Sequence, residues 1–187
     1  QKEAELAARL DLRVLITGEY GVGKRRLTRL IHAEGSRRRG HLFQVRCAQE
    51  PEAQLYIRLF GGGDGLQAKP GIFERAEGGT ILLQDVDALT PAHQDSLLHF
   101  LSTDRPLDGS GKPIDVQIVA STQTPLIEQV TAGTFRDDLY YLLNTVYLPI
   151  PPLRERAEDV EPLFQYFATY YGRRYGMDGR GLTAEWR

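Results

Sequence analysis

The stretch Arg13–Lys24, RVLITGEYGVGK, joins an apolar run to a glycine-rich loop, and an amphipathic run follows it. Arg13 to Thr17 reads as a buried strand and Arg25 to about Glu34 as a helix. Between them Gly18-Glu19-Tyr20-Gly21-Val22-Gly23-Lys24 fits G-x-x-x-x-G-K, the strand–loop–helix context in which that spacing carries a mechanism. Glycines let successive backbone N–H groups turn inward around phosphate oxygens. The following helix adds the positive end of its dipole, and Lys24 supplies a point charge for β- and γ-phosphates. ATP or ADP is the ligand this implies. A glycine turn with no ligand is the blander reading, and the context argues against it. Arg25 stands where a Ser or Thr hydroxyl normally helps hold Mg²⁺, which weakens a metal site and leaves the phosphate cradle intact.

Outward from the loop, apolar runs alternate with amphipathic ones. LFQVRC (42–47), TILLQDV (80–86), VQIVAST (116–122) and TVYLPI (145–150) read as further strands, making five. Helices are expected at 1–10, 51–60, 90–102 (Thr90 as N-cap, Pro91 at the first position), 124–133 (also capped) and 135–144, and an aromatic-rich one at 157–176. Strands alternating with helices predict an α/β fold, a parallel sheet with helices on both faces. GGGDGLQAKPG (61–71), with five glycines and a proline, must be an exposed loop.

The 187 residues carry a net charge of −2, unevenly spread: residues 1–40 hold ten Lys/Arg against five Asp/Glu. Two readings of that basic end stand side by side, a phosphate-facing surface and a solvated one. Cys47 is the single cysteine, which rules out an intrachain disulfide and favours a reducing, cytoplasmic setting. No apolar run approaches the roughly 20 residues that cross a bilayer, so no membrane is expected as a partner. Gln1 in place of an initiator methionine suggests a piece of a longer chain.

Several segments together resemble the AAA+ domain of bacterial enhancer-binding proteins, the sigma-54-dependent transcription activators. VLITGEYGVGK is similar to the family's VLITGESGTGKE, FQVRCA to FVxVNCA, and GIFERAEGGTILL to GxFExAxGGTLFL. IDVQIVASTQ echoes VDVRIIAATN, GTFRDDLYYLLN echoes GxFREDLYYRLN, and IPPLRERAEDV nearly repeats LPPLRERxEDI. The resemblance covers nearly the whole chain, in order and at similar spacing. It implies an AAA+ P-loop NTPase fold, with an α/β core over 1–155 and the start of a C-terminal helical lid over 156–187. It also implies self-association into a dimer or ring with ATP between subunits, and contact with RNA polymerase machinery through a GAFTGA loop. DNA would be reached through a domain outside these residues.

The departures cluster at catalytic positions. The family's LDE becomes Leu83-Gln84-Asp85. Gln84 lacks the charge that balances a divalent cation, and Asp85 stands one methylene short of the Glu that polarises the attacking water. A surviving general base or a plain strand-end carboxylate are the two readings of Asp85. Gln123 replaces the sensor asparagine. Arg136 stands where the family's first trans-acting arginine does, or it pairs with Asp137 or Asp138; the second such arginine is Leu142. Gly62–Pro70 holds nine residues where the family has roughly fourteen, and GAFTGA is missing. Val160, Leu163, Phe164, Phe167 and Tyr171 line one face of the last helix and read as core. The chain stops before the family's PGNVREL.

Arg25, Arg26 and Arg29 follow the loop, and Arg37, Arg38 and Arg39 come soon after. Some family members respond to cyclic di-GMP, whose phosphates and guanines suit arginines by pairing and stacking; a solvated basic surface is the competing reading. His32, His41, His93 and His99 show no metal spacing, so no metal ligands are expected. The sequence therefore reads as a nucleotide-binding AAA+ regulatory module of a transcription factor. Gly18–Lys24, Arg25, Gln84 and Gln123 would hold ligand, and Asp85 and Arg136 would carry what hydrolysis remains. The rivals are a working ring ATPase and an interaction module, empty or tuned to cyclic di-GMP.

Overall fold

The three most apolar runs of the sequence become the three central strands of one sheet. In a computed structural model, which describes residues 2–62, 69–105 and 113–176, β1 (Val14–Thr17), β3 (Thr80–Gln84) and β4 (Gln117–Thr122) are buried almost throughout. β2 (Leu42–Arg46) and β5 (Val146–Pro149) lie at the edges and are only partly covered. The order is β2-β3-β4-β1-β5, every pair parallel. Continuous apolar runs, rather than alternating ones, are what a sheet covered on both faces requires.

Alternation along each strand divides the core in two. Val14, Ile16, Leu82, Val119 and Leu148 face α1 (Lys2–Arg9) and α2 (Lys24–Glu34), which contribute Ala4, Ala7, Ala8 and Ile31. Leu15, Val45, Ile81, Leu83, Ile118 and Ala120 face the opposite layer. That layer is built from α3 (Glu52–Phe60), α4 (Ile72–Arg75), α5 (Pro91–Thr103), α6 (Leu126–Thr131) and α7 (Asp137–Leu143). Phe73 anchors it, stacked on Phe60 and Phe100 with centroids 5.4 and 4.0 Å away. Such ring pairs add roughly 0.5–1.5 kcal/mol beyond the area they bury.

Three local expectations meet differences. Thr90 is the N-cap of α5 with Pro91 next, but its hydroxyl makes no cap bond; it donates to Glu52 Oε1 (2.9 Å) and lies 2.8 Å from His93 Nδ1. α6 begins one residue later than a Thr124 cap would have it, at an N-cap of Pro125, and so has no side-chain cap. α8 (Val160–Tyr175) forms, but among the described residues the face expected as core is exposed: Val160, Phe164, Phe167 and Tyr171 are each 39–47% exposed. Periodicity shows that a face is apolar; only a packed neighbour buries it.

The chain divides into two compact units, Gln1–Ile150 and Pro151–Arg187. Gly62 and Lys69 pair in an antiparallel bridge (N···O 3.2 and 2.9 Å), closing the base of the glycine-rich loop; the loop residues 63–68 and the segment 177–187 lie outside the described residues. No described helix is long and apolar enough to cross a membrane.

Candidate phosphate site at the strand ends

The glycine loop leaves the C-terminal end of β1, held by Gly18 N–H donating to the Thr122 carbonyl (3.3 Å) at the end of β4. Gly18 has no room for a side chain: a Cβ there would fall 2.7 Å from the Ile150 carbonyl oxygen and 2.9 Å from Val22 Cγ2. Gly21 (φ 83°) and Gly23 (φ 109°) take backbone angles that L side chains avoid. Gly23 is the N-cap of α2 and offers no side-chain acceptor to the first N–H groups of the helix, while its carbonyl accepts from the Arg26 N–H (2.9 Å). Glu19 and Tyr20 are exposed, Tyr20 to 90%. Lys24 folds over the loop, its ammonium donating to the carbonyls of Gly18 (2.5 Å) and Glu19 (3.1 Å).

β3 delivers the polar strand end. Gln84 and Asp85 are half-buried there, and Asp85 turns the chain at φ 56°, ψ 52° into a short 3₁₀ turn (Val86–Ala88) that carries Asp87. A non-glycine residue in that left-handed region is uncommon, with Asp and Asn the usual exceptions. Burial lowers the pKa of Lys24, and the nearby Asp85 and Asp87 carboxylates oppose the shift. The same two carboxylates reach Cys47, just past β2: burial first, then their charge, push its thiol up to about 12. Lys24, Asp85 and Asp87 are thus brought into one electrostatic neighbourhood. Gln123 follows the last residue of β4 and is exposed.

The donor set fits a divalent cation poorly. Arg25 and Gln84 stand where a hydroxyl and a carboxylate would serve, and among the described residues no three His, Cys, Asp or Glu cluster to hold a metal.

Arg136 is the N-cap residue of α7 and its guanidinium is engaged within the chain. Nε and Nη2 donate to the two oxygens of Asp138 (3.0 and 2.7 Å), and Nη1 donates to Asp95 Oδ1 (2.7 Å). These bonds raise its pKa and hold Asp138 below the usual carboxylate range. The paired reading is realised with Asp138; Asp137 caps the next N–H instead. Gln94 of α5, 2% exposed, escaped the sequence reading. Its amide donates to the carbonyls of Leu89 (2.9 Å) and Thr134 (3.1 Å), and its oxygen accepts the Arg136 N–H (2.9 Å). A glutamine on the apolar stripe of α5 was the available signal.

The basic cluster is split. Arg37 is tied to Asp115 (Nη2–Oδ1 2.5 Å) and Asp11 (3.5 Å), whereas Arg25, Arg29, Arg38 and Arg39 are exposed. His32 bonds Thr80 and His93 bonds Thr90 and the Glu52 carbonyl, so both are structural.

A five-stranded parallel sheet in this order, whose first strand feeds a glycine loop and a lysine into a helix, defines a P-loop nucleotide-binding fold of the AAA+ type. The chain belongs to the sigma-54 interaction domain family, whose model matches residues 1–149. It is 36% identical over 186 residues to the C4-dicarboxylate transport transcriptional regulatory protein DctD of Rhizobium meliloti, covering 95% of this chain and 40% of that protein. It is 38% identical to the transcriptional regulatory protein ZraR of Klebsiella oxytoca, covering 96% and 42%. The chain thus spans about two fifths of the length of these relatives. Among solved structures, NtrX from Brucella abortus in complex with ADP superposes with a TM-score of 0.85 at 31% identity, over 95% of this chain and 41% of that one. NtrX in complex with ATP gives 0.84. The P-loop NTPase domain of a sigma-54 transport activator from E. coli, at 19% identity and a TM-score of 0.58, supports the fold alone.

Proposed function

We propose that this chain is the nucleotide-responsive module of a bacterial transcription regulator. It holds ATP or ADP on the Gly18–Lys24 loop, hydrolyses it slowly or not at all, and passes occupancy on as a change in self-association. In this reading residues 1–155 carry the nucleotide and 156–187 begin the lid. The observation that carries it is the loop: two glycines at positive φ, a helix start with no competing cap, and a lysine already turned onto the loop's carbonyls. The ADP and ATP complexes of NtrX support the ligand class.

Weak hydrolysis follows from the strand end. Gln84 brings no charge, Asp85 sits in a tight left-handed turn, and Arg136 is committed to Asp138 and Asp95. Catalytic groups displaced by about 1 Å lose on the order of 10²-fold in rate. The Gly62–Pro70 interval contains no GAFTGA, so sigma-54 remodelling is not assigned to this chain, and its route to polymerase and DNA runs through other parts of the protein. Of the basic cluster Arg37 is spent in ion pairs, which leaves Arg25, Arg29, Arg38 and Arg39 exposed for the alternative ligand, cyclic di-GMP.

Calorimetric titration with ATP and ADP, followed by phosphate release from the bound complex, tests this. Saturable binding that Lys24→Ala abolishes, with little release, is expected. Turnover at the rate of an ordinary ring ATPase, lost in Asp85→Asn, would overturn the regulatory reading. Absence of nucleotide binding would leave an interaction module.

A further inference from the structure

Arg46 ends β2 and stands opposite Gln84, the last residue of β3, with Ser121 of β4 next in the same row. Side chains two apart on a strand share a face. Leu82, two before Gln84, and Val119, two before Ser121, pack in the cluster beneath α1 and α2. The row Arg46–Gln84–Ser121 therefore lies on the sheet face covered by the helix that the phosphate loop opens. Ser121 Oγ is fully buried with no hydrogen-bond partner among the described residues.

Arg13, Arg37, Arg58, Arg136 and Arg156 each form an ion pair. Arg46 has none among the described residues: its Nη1 donates to the neutral Gln49 Oε1 at 2.9 Å, and the side chain is exposed. Arg25, the second residue of α2, is likewise exposed without an ion pair among the described residues. Nearby, Asp85 and Asp87 are within electrostatic reach of Lys24. Arg46 thus stands at the end of β2 beside Gln84, and Arg25 in the first turn of α2 next to Lys24, neither with a carboxylate partner among the described residues; the carboxylates in reach of Lys24 are two, Asp85 and Asp87.

We propose that Arg46, with Arg25, supplies the positive charge that a divalent cation would otherwise bring to the terminal phosphates, so that the site takes nucleoside di- or triphosphate free of metal. This deepens, and rests on, the reading of Gly18–Lys24 as a nucleotide cradle. Guanidinium groups suit the role because their planar N–H forks match phosphate oxygens two at a time. The row also places Gln84 beside Arg46, where its amide can hydrogen-bond a phosphate oxygen without repelling it, as a carboxylate would.

The test is titration of the intact protein with ATP and with ADP, in EDTA and again in excess Mg²⁺, for wild type, Arg46→Gln, Arg46→Lys and Lys24→Ala. Wild type should bind in EDTA within about threefold of its affinity in Mg²⁺. Arg46→Gln should lose about tenfold in EDTA, the scale of one charge-assisted contact, and Arg46→Lys should keep part of that. Wild-type binding that needs Mg²⁺ and vanishes in Lys24→Ala overturns the metal-free site while the cradle stands. An Arg46→Gln protein that binds as wild type in EDTA overturns the role of Arg46. No saturable binding in either medium overturns both this proposal and the nucleotide reading beneath it.

Discussion

Cys47 shows how much one residue's environment says that its identity does not. A lone cysteine invites a redox reading. Here it lies at 4% exposure with Asp85 and Asp87 nearby, and its thiol is pushed up to about 12, so the reactive thiolate is nearly absent at neutral pH. The native chain should therefore resist a thiol-alkylating reagent at pH 8 and react fast once unfolded in denaturant. Rapid native labelling, followed by mass spectrometry, would contradict the burial described. The same contrast governs Arg136. Its position in GTFRDDLYYLLN was legible, but its engagement with Asp95 was not, since 41 residues separate the partners.

At the scale of elements, α5 does more than fill the core. Leu97, Phe100 and Leu101 bury its apolar stripe, and Gln94 on the same stripe ties the turn after β3 to the start of α7 through three hydrogen bonds. Gln94→Leu would keep the volume roughly and orphan two carbonyls and one N–H, at about 1–3 kcal/mol for each buried group left unpaired. Urea unfolding should show a loss of at least about 2 kcal/mol, with nucleotide affinity of the folded protein changed little. A variant as stable as wild type would mean that water or a shifted backbone satisfies those groups. Helix and strand boundaries were legible to within a few residues because apolar periodicity and glycine punctuation are local. Caps were less so: Thr90 has the residue type for a cap, yet a carboxylate from α3 competes for its hydroxyl.

Across the whole molecule a buried polar relay crosses the sheet. Thr80 donates to Gln117 Oε1 (3.3 Å), His32 Nδ1 lies 2.9 Å from the Thr80 hydroxyl, and the Gln117 amide donates to the carbonyls of Ala7 and Leu12. The relay joins α2, β3, β4 and the end of α1. Burial lowers the pKa of His32, against a smaller opposing hydrogen bond with Gly40. With the folded value below the unfolded value of about 6.5, stability from this group is intact above that pH. It falls as pH drops through it, where the unfolded chain takes up the proton that the fold disfavours. Urea midpoints at pH 7.5 and 5.5 should fall less in His32→Gln than in wild type. Equal declines would assign the pH dependence to carboxylates instead.

The order of strands and helices, the glycine loop, the lysine and the altered residues Arg25, Gln84 and Asp85 could all be read along the chain. Each depends on neighbours a few positions away, where periodicity, turn chemistry and motif spacing act. Strand order β2-β3-β4-β1-β5, the row that sets Arg46 beside Gln84 and Ser121, and the pairing of Arg136 with Asp95 required the folded chain. The same holds for the bond from Gln94 to Arg136 and, among the described residues, for the exposed face of α8. These contacts join residues tens of positions apart. Hydrophobic burial selects them by closing the sheet between its helix layers, and a one-dimensional pattern carries no record of which distant polar groups that closure brings within bonding distance.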